Sequence, residues 1–398
     1  MNIAIFTDCY IPIKNGVVTS VRQLKEGLEE KGHNVIIVTV DVPNFEEKDL
    51  SVYRLPSFGA SFGSGTDTRL GSFVNQGAIN RFLKKKEIQL IHTHTEFVMG
   101  YYGKKAAKKL KIPCIHTTHT MWEEYRHYVL NGKLISRNMA RKIISTYLKG
   151  IYGIVSPSIK AQNYYRDLTP HIPSVVINNG IDVAKFKSSV ITENEVSQLK
   201  KEFNLKKNDK IILFVGRIGR EKRVIDLLNI VSSILKADSQ IKLIYTGTGP
   251  QMQQLADNAK NLGISKQVVF TGFVNWELVY QLYSISDLFV TASLSEVQPM
   301  TLIEATMCGL PIICRKDESY MDLVTESVNG FLLDNDYDMT KKISELLYDD
   351  VKRKKFSDES YKSSERFTAE NHVNRMEKFY TQVVRSYPDT LEVDSIFL

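Results

Sequence analysis

Asp287-Leu-Phe-Val-Thr-Ala292 runs into Ser-Leu-Ser295-Glu296-Val-Gln-Pro299-Met-Thr-Leu302-Ile-Glu304-Ala-Thr-Met-Cys308-Gly309-Leu-Pro311, and the reading of this stretch decides the fold. Residues 287–292 are the apolar run of a buried strand, and Leu302 to Cys308 are good helix formers. Pro299 stands where a first-turn proline is tolerated, and Gly309 where a helix can stop. Strand, turn and helix in that order put Glu296 on the loop beyond the carboxyl end of the strand and Glu304 inside the helix. A helix amino terminus carries unpaired N–H groups and positive partial charge, so the turn between the two acids is a seat for an anion. A carboxylate on each side of a bound phosphate is electrostatically awkward unless each has hydroxyls to bind. A diphosphate between two polyols, the make-up of a sugar nucleotide, meets that condition. Taken alone, such a pair of glutamates reads better as solvated acids on a helix face.

Upstream, a polar, charged link over residues 185–209 leads to Lys210-Ile-Ile-Leu-Phe-Val-Gly216-Arg217-Ile-Gly-Arg220-Glu-Lys222. This is a strand opening into a glycine-containing loop with three cations, followed by a helix from Val224. Arg217 offers a planar fork and Lys222 a point charge, two shapes suited to a diphosphate. Charge-assisted contacts of this kind contribute about 1.5–3 kcal/mol each. A Walker A loop is excluded, because no Gly-Lys-Ser/Thr occurs. Two further strands with glycine turns follow, Ile241 to Pro250 and Val268 to Val274. Phe273 either borders a ligand there or packs into the core.

In the first half, Asn2-Ile-Ala-Ile-Phe6, a helix from Val17 to Lys31 ended by Gly32, and Asn34-Val-Ile-Ile-Val-Thr-Val40 make a strand–helix–strand unit. Continuous apolar strands favour a parallel sheet covered on both faces. Ligands of such sheets bind beyond the carboxyl ends of the strands, which makes the loop from Asp8 to Gly16 a candidate site. With one glycine it is no dinucleotide fingerprint. Gly16 either lets backbone approach a phosphate or sugar, or is a plain turn glycine. Leu90-Ile-His92 and Cys114-Ile-His116 read as successive strands whose ends carry His94 and His119. The His-x-His and His-x-x-His spacings suit a metal, yet no acidic or cysteine partner completes a ligand set, so no protein metal site is expected. Trp122 to Tyr128 is aromatic and charged, and is expected on the acceptor side of the site.

A chain of 398 residues with 43% hydrophobic and 24% charged residues suits two globular domains. No run approaches the roughly 18–20 apolar residues of a membrane span. The start reads as a first strand rather than a signal peptide. Cys9, Cys114, Cys308 and Cys314 form no CxxC pair and read as reduced packing residues of a cytoplasmic protein. Charge is uneven: residues 1–180 carry 24 Lys and Arg against 14 Asp and Glu, leaving 28 against 31 for the rest. Within the first half, residues 66–111 hold ten basic and three acidic residues. Arg69, Phe73, Arg81, Lys84, Lys85 and Lys86 fall in a helix expected over residues 67–87, and Lys104, Lys105, Lys108 and Lys109 follow. A basic amphipathic surface suits anionic lipid, at about 1 kcal/mol per basic residue near the bilayer. The competing reading is a solvated helix face. No nucleic-acid module is visible, and nucleic acid is not expected as a partner.

Glu-x7-Glu between a strand and a helix, followed by Gly-Leu-Pro-Ile, resembles the nucleotide-sugar site of the retaining GT-B glycosyltransferases. Gly-Arg217 with Lys222 five residues on, Thr117-Thr118-His119 and Asn179-Gly-Ile-Asp182 resemble family motifs in the same order, and the likeness covers nearly the whole chain. It implies an α/β fold of two Rossmann-like domains with a deep interdomain cleft: residues 1–182, which bind acceptor and membrane, residues 183–366, which bind the nucleotide sugar, and a terminal helix in 367–398 that crosses back to the first. By the same resemblance Arg217 and Lys222 clamp the diphosphate, the N–H groups of Met300, Thr301 and Leu302 cover the phosphates, and Glu304 takes the ribose hydroxyls. Backbone near Phe273 and Val274 meets the uracil, Gly16 lies on the donor, His119 binds a sugar hydroxyl or the diphosphate, and Glu296 attends the transferred sugar. Asp8 is a candidate for placing the acceptor hydroxyl. Relatives often have a glycine and an aromatic after the first glutamate; here Val297-Gln298-Pro299 stands instead, and Pro299 removes one possible N–H donor.

Residues 11–20, 116–120 and 296–305 are similar to bacterial 1,2-diacylglycerol 3-α-glucosyltransferases. That resemblance implies UDP-glucose as donor, diacylglycerol as acceptor, and a peripheral position on the cytoplasmic face of the cell membrane, on an anionic phospholipid surface. It implies no tightly bound cofactor; a divalent cation would act as a stimulant without a site on the protein. Two alternatives share the donor residues: a transferase with a soluble sugar or sugar-phosphate acceptor, and a non-catalytic membrane-bound sugar-nucleotide sensor.

Overall fold

Strands apolar along their whole length need cover on both faces, and the sheets of this protein are built that way. The computed structural model describes residues 1–13, 15–59, 69–72, 75–125, 136–184 and 192–393. The chain forms two compact units, residues 1–180 with 369–398, and residues 181–368.

The strands of the first unit are β1 (Asn2–Phe6), β2 (Asn34–Val40), β3 (Val52–Leu55), β4 (Ser57–Gly59), β5 (Arg69–Gly71), β6 (Leu90–Thr93), β7 (Cys114–Thr117), β8 (Gly153–Ser156) and β9 (Ser174–Val176). Seven form a parallel sheet in the order β3-β2-β1-β6-β7-β8-β9, while β4 and β5 pair antiparallel. Alternation along the strands divides the core. Ile3, Ile5 and Leu90 pack with α1 (Gly16–Glu30) and the terminal helix Ala369–Ser386. Ala4, Phe6 and Ile91 pack with α2 (Gln76–Lys85), α3 (Val98–Leu110) and, after the short α4 (Trp122–Tyr125), α5 (Arg137–Leu148). The Asn15 side chain starts α1 by accepting the Val18 N–H.

The terminal helix buries Val373, Met376, Phe379, Tyr380 and Val383 in the first unit, at about 1.5–3 kcal/mol for each such side chain. Gly27 makes that docking close: a Cβ there would lie 2.6 Å from Val373 Cγ2.

The helix expected over residues 67–87 begins only at Gln76, capped by the Asn75 side chain on the Gly77 N–H. Arg69 lies instead on β5, where its guanidinium donates to the Asp41 carbonyl and to Ser57. A three-residue strand held by its neighbour's backbone leaves little periodic signal, so the basic residues masked it. Phe73 lies outside the described residues, as does the stretch from Arg126 to Tyr128.

The second unit holds β10 (Lys210–Val215), β11 (Ile241–Thr246), β12 (Val268–Gly272), β13 (Leu288–Thr291), β14 (Ile312–Arg315) and β15 (Gly330–Leu333). They form one parallel sheet in the order β12-β11-β10-β13-β14-β15. Successive strands run outward from β10 to one edge and then from β13 to the other, so the topological switch point lies between β10 and β13. The first unit has the same plan, with its switch between β1 and β6. Loops beyond β10 and β11 stack backbone on backbone. A Cβ at Gly247 (φ +131) would lie 2.0 Å from the Gly216 carbonyl oxygen, and one at Gly249 2.3 Å from that of Ile218. Only glycine tolerates both approaches.

Candidate active site

The loops that leave β10 and β13 carry the charges of the second unit. Lys222 ends a short turn after β10, and Glu296 lies on the loop after β13. Lys222 Nζ and Glu296 Oε1 are 2.5 Å apart, with side chains 17% and 16% exposed. The pair is thus mostly shielded yet reachable, at the place where open α/β sheets bind ligands. Arg217, a third exposed, lies 3.9 Å through Nε from Glu221 Oε1. Ser295 ties the two loops together by donating to the Glu221 carbonyl at 3.0 Å. Glu221 and Ser295 were not legible as site residues, since neither has a spacing signal; their role follows from two loops meeting.

The helix Met300–Met307 starts after Pro299, which gives the chain an extended approach. The Leu302 N–H donates to the Pro299 carbonyl at 3.0 Å. Of the three N–H groups expected over phosphates, Leu302 therefore already has a partner inside the turn. Met300 and Thr301, at the first two helical positions, have none among the described residues. Glu304 is buried, and its Oε2 accepts from the Tyr283 hydroxyl at 2.7 Å. Beyond β12, Gly272 (φ +67) turns the chain, Phe273 is 64% exposed, and Val274 packs at the edge of the core. Phe273 is therefore not a core residue.

In the first unit, Asp8 follows β1 and is buried. Its carboxylate accepts from Thr95 Oγ1 at 2.5 Å and from the Met99 N–H at 3.2 Å. It caps the first turn of α3, a structural task that the sequence reading had not given it. Burial raises its pKa to about 6. Gly16 opens α1, and a Cβ there would meet nothing within 4 Å, so the fold itself does not demand glycine.

β6 and β7 deliver four histidines. His92 and Thr117 point to the terminal-helix side of the sheet, where His92 Nδ1 lies 2.6 Å from the Tyr380 hydroxyl and Nε2 lies 2.7 Å from Thr117 Oγ1. Thr93 and His116 point to the α5 side, with His116 Nδ1 at 2.9 Å from Thr93 Oγ1 and Nε2 at 3.3 Å from Glu96. Past the strand ends, His94 Nδ1 lies 2.9 Å from His119 Nε2. Burial holds His92 and His94 well below the usual histidine pKa and brings His119 to about 3, so these rings are neutral at neutral pH. No group of three metal-ligating side chains is arranged for an ion among the described residues.

The basic residues also sort by face. Arg81, Lys84, Lys85 and Lys86 on and after α2 are exposed, as are Lys105, Lys108 and Lys109 on α3. Lys104 is the exception: it turns inward, donates to the Tyr147 carbonyl and lies 4.7 Å from the Tyr147 ring centroid, and burial lowers its pKa. Helix α5 adds Arg137, Arg141 and Lys142, with Met139 and Ile143 about half exposed beside them. Together α2, α3 and α5 carry ten basic residues and no acidic one, whereas α1 mixes two with three. The α5 contribution was missed because its charges are separated by ordinary helix formers. Among the described residues no helix is long and apolar enough to cross a membrane.

Residues 14–185 match the family model described as Glycosyltransferase Family 4, and residues 195–363 match Glycosyl transferases group 1. The chain is 32% identical over 391 residues to the alpha-monoglucosyldiacylglycerol synthase of Streptococcus pneumoniae, covering 97% of this chain and 87% of that one. It belongs to the GT-B glycosyltransferases. A second relative of the same name, from Acholeplasma laidlawii, is 33% identical, with 86% of this chain and 87% of the relative covered. Among solved structures, the glycosyltransferase shares its fold with sucrose-phosphate synthase of Thermosynechococcus elongatus (TM-score 0.75, 19% identity, 96% and 99% of the two chains). It shares it also with Anabaena HepE in complex with UDP-glucose (TM-score 0.76, 17% identity, 96% and 99%).

Proposed function

We propose that this glycosyltransferase moves glucose from UDP-glucose to the 3-hydroxyl of 1,2-diacylglycerol with retention of configuration, at an anionic membrane surface. The observation that carries the donor half is the Lys222–Glu296 pair at the switch point of the second unit, beside the unpartnered N–H groups of Met300 and Thr301. Diphosphate entering there would draw Lys222 from Glu296, supplying a preorganised positive field to the leaving group while releasing the carboxylate toward the sugar. Arg217 adds a second cation. Glu304, fixed by Tyr283, is placed for ribose hydroxyls, with Phe273 and Val274 at the base. His119 of the first unit serves the transferred sugar.

Retention without a dedicated nucleophile is achieved by same-face displacement. The bond from the anomeric carbon to the diphosphate oxygen breaks as the acceptor oxygen bonds to that carbon, and the departing phosphate takes the acceptor's proton. Glu296 stabilises the oxocarbenium-like state. Asp8 has no part in this reading, because its oxygens already hold α3.

The lipid half is supported by the named relatives and by the acid-free face of α2, α3 and α5. Purified protein incubated with UDP-glucose and diacylglycerol vesicles, with and without phosphatidylglycerol, tests both halves. Glucolipid that increases with anionic lipid is the expected result. UDP release onto a soluble sugar, with no glucolipid in either vesicle, would overturn the lipid acceptor and leave the donor site intact.

A further inference from the structure

Four side chains of the first unit form a continuous hydrogen-bonded chain with a countable set of protons. It runs from Tyr380 on the terminal helix to His92 Nδ1 (2.6 Å), from His92 Nδ1 to His94 Nε2 (3.2 Å), and from His94 Nδ1 to His119 Nε2 (2.9 Å). His92 closes the inner end through Nε2 on Thr117 Oγ1 at 2.7 Å. The rings are stacked as well as bonded: His92 and His94 have centroids 4.0 Å apart, and His94 and His119 5.2 Å. Among the described residues His119 has no hydrogen bond besides the one to His94.

A neutral imidazole carries one N–H and one lone pair, so each contact fixes the next. The shortest link decides the direction. Burial raises the Tyr380 pKa well above its ordinary value, so the hydroxyl keeps its proton and is the donor at 2.6 Å. His92 Nδ1 is then a lone pair, and its Nε2–H faces Thr117. His94 must turn its Nε2–H toward His92 and its Nδ1 lone pair toward His119. His119 in turn donates through Nε2, which leaves its Nδ1 bare.

We propose that His94, anchored through His92 to Tyr380, is a positioning residue that holds His119 as the Nε2–H tautomer and presents its Nδ1 only as a hydrogen-bond acceptor. An acceptor can take the O–H of a sugar but offers nothing to a phosphate oxygen. The inference therefore deepens the reading of His119 given above, on which its catalytic consequence rests: the residue reads a donor-sugar hydroxyl and not the diphosphate. It also makes the terminal helix part of the apparatus, through one hydroxyl.

The test is long-range proton–nitrogen NMR on protein labelled at histidine nitrogen, alongside steady-state kinetics with UDP-glucose. Wild-type His119 should show a protonated Nε2 and a bare Nδ1. His94→Leu removes the acceptor and should give mixed tautomers, with kcat reduced about tenfold or more and the donor KM within about threefold. His94→Asn restores an acceptor close to the position of Nδ1 and should recover most of both signals. Tyr380→Phe removes only the hydroxyl and carries the NMR test if His94→Leu fails to fold: the His92 signal should change and His119 should lose its single tautomer. A wild-type His119 protonated at Nδ1, or tautomers unaltered in these variants, overturns the proposal. Mixed tautomers with undiminished kcat would keep the positioning chain and instead remove His119 from the donor site.

Discussion

The two units share one sheet plan and use its strand ends in opposite ways. At the switch point of the second unit stand a lysine and a carboxylate, half-shielded and 2.5 Å apart. At that of the first stand a buried capping acid and a chain of neutral imidazoles. Histidine itself is divided: all eight occur in the first unit, none in residues 181–368. Charge is concentrated where a diphosphate must be received and released. Neutral hydrogen-bonding groups are concentrated where hydroxyls are to be ordered without a net field. Identical topology therefore does not fix chemistry, which lives in what each loop end carries.

Breaking the charged end should have the largest effect. Lys222→Ala removes the cation at the leaving group and leaves Glu296 without that partner. We expect kcat/KM to fall by about a hundred- to a thousandfold, as for loss of one preorganised electrostatic donor. Glu296→Ala should be comparable, and the double variant should lose much less than the product of the two, because the residues act as a pair. Additive losses in that cycle would mean that the ion pair is incidental.

Acid should separate the units. His92, His94, His119 and His372 have pKa values lowered by burial, the last two to about 3 and about 4, while the unfolded chain titrates near 6.5. Below that value the unfolded state binds more protons, so stability falls with pH. The slope reaches about 1.4 kcal/mol per pH unit for each such group. Asp8 works in the opposite sense, since its raised pKa favours the folded state as pH drops from about 6. Four groups outweigh one. Calorimetry from pH 7 to 5 should resolve a first-unit transition moving to lower temperature ahead of the second; a single transition that keeps its shape would contradict this.

Packing gives a smaller test of the same contrast. Gly27→Leu forces apart α1 and the terminal helix, and should destabilise the first unit by about 1–3 kcal/mol while leaving the unfolding of the second unit unchanged. Smallest is Tyr283→Phe, which takes one hydrogen bond from the buried Glu304. A rise in donor KM of about three- to tenfold with kcat retained is expected, and a pure loss of kcat would place Glu304 elsewhere than the ribose.

Much of this was legible before any coordinates. The apolar runs at Asn2–Phe6, Lys210–Val215 and Leu288–Thr291 announce parallel strands, and Gly309 ends its helix where a left-handed residue is needed (φ +70). The loop order brought Arg217, Lys222, Glu296 and Glu304 into one unit by sequence alone. Legibility failed at short or mixed pieces. The β4–β5 hairpin was absorbed into a helix, Lys104 was counted with its exposed neighbours, and α5 went unnoticed as a basic element.

By itself, then, the sequence determined what local periodicity and side-chain chemistry determine: strands, helices, caps, and the charged residues of the donor loops. Tertiary structure alone decided which side chains meet. Lys222 reaches Glu296 only because β10 and β13 are neighbours at a switch point. Asp8 became a helix cap because β1 and β6 are neighbours too. His92 found Tyr380 across 288 residues of chain because the terminal helix covers that face of the sheet. Such meetings depend on pairing and packing between distant segments, for which spacing along the chain holds no periodic signal.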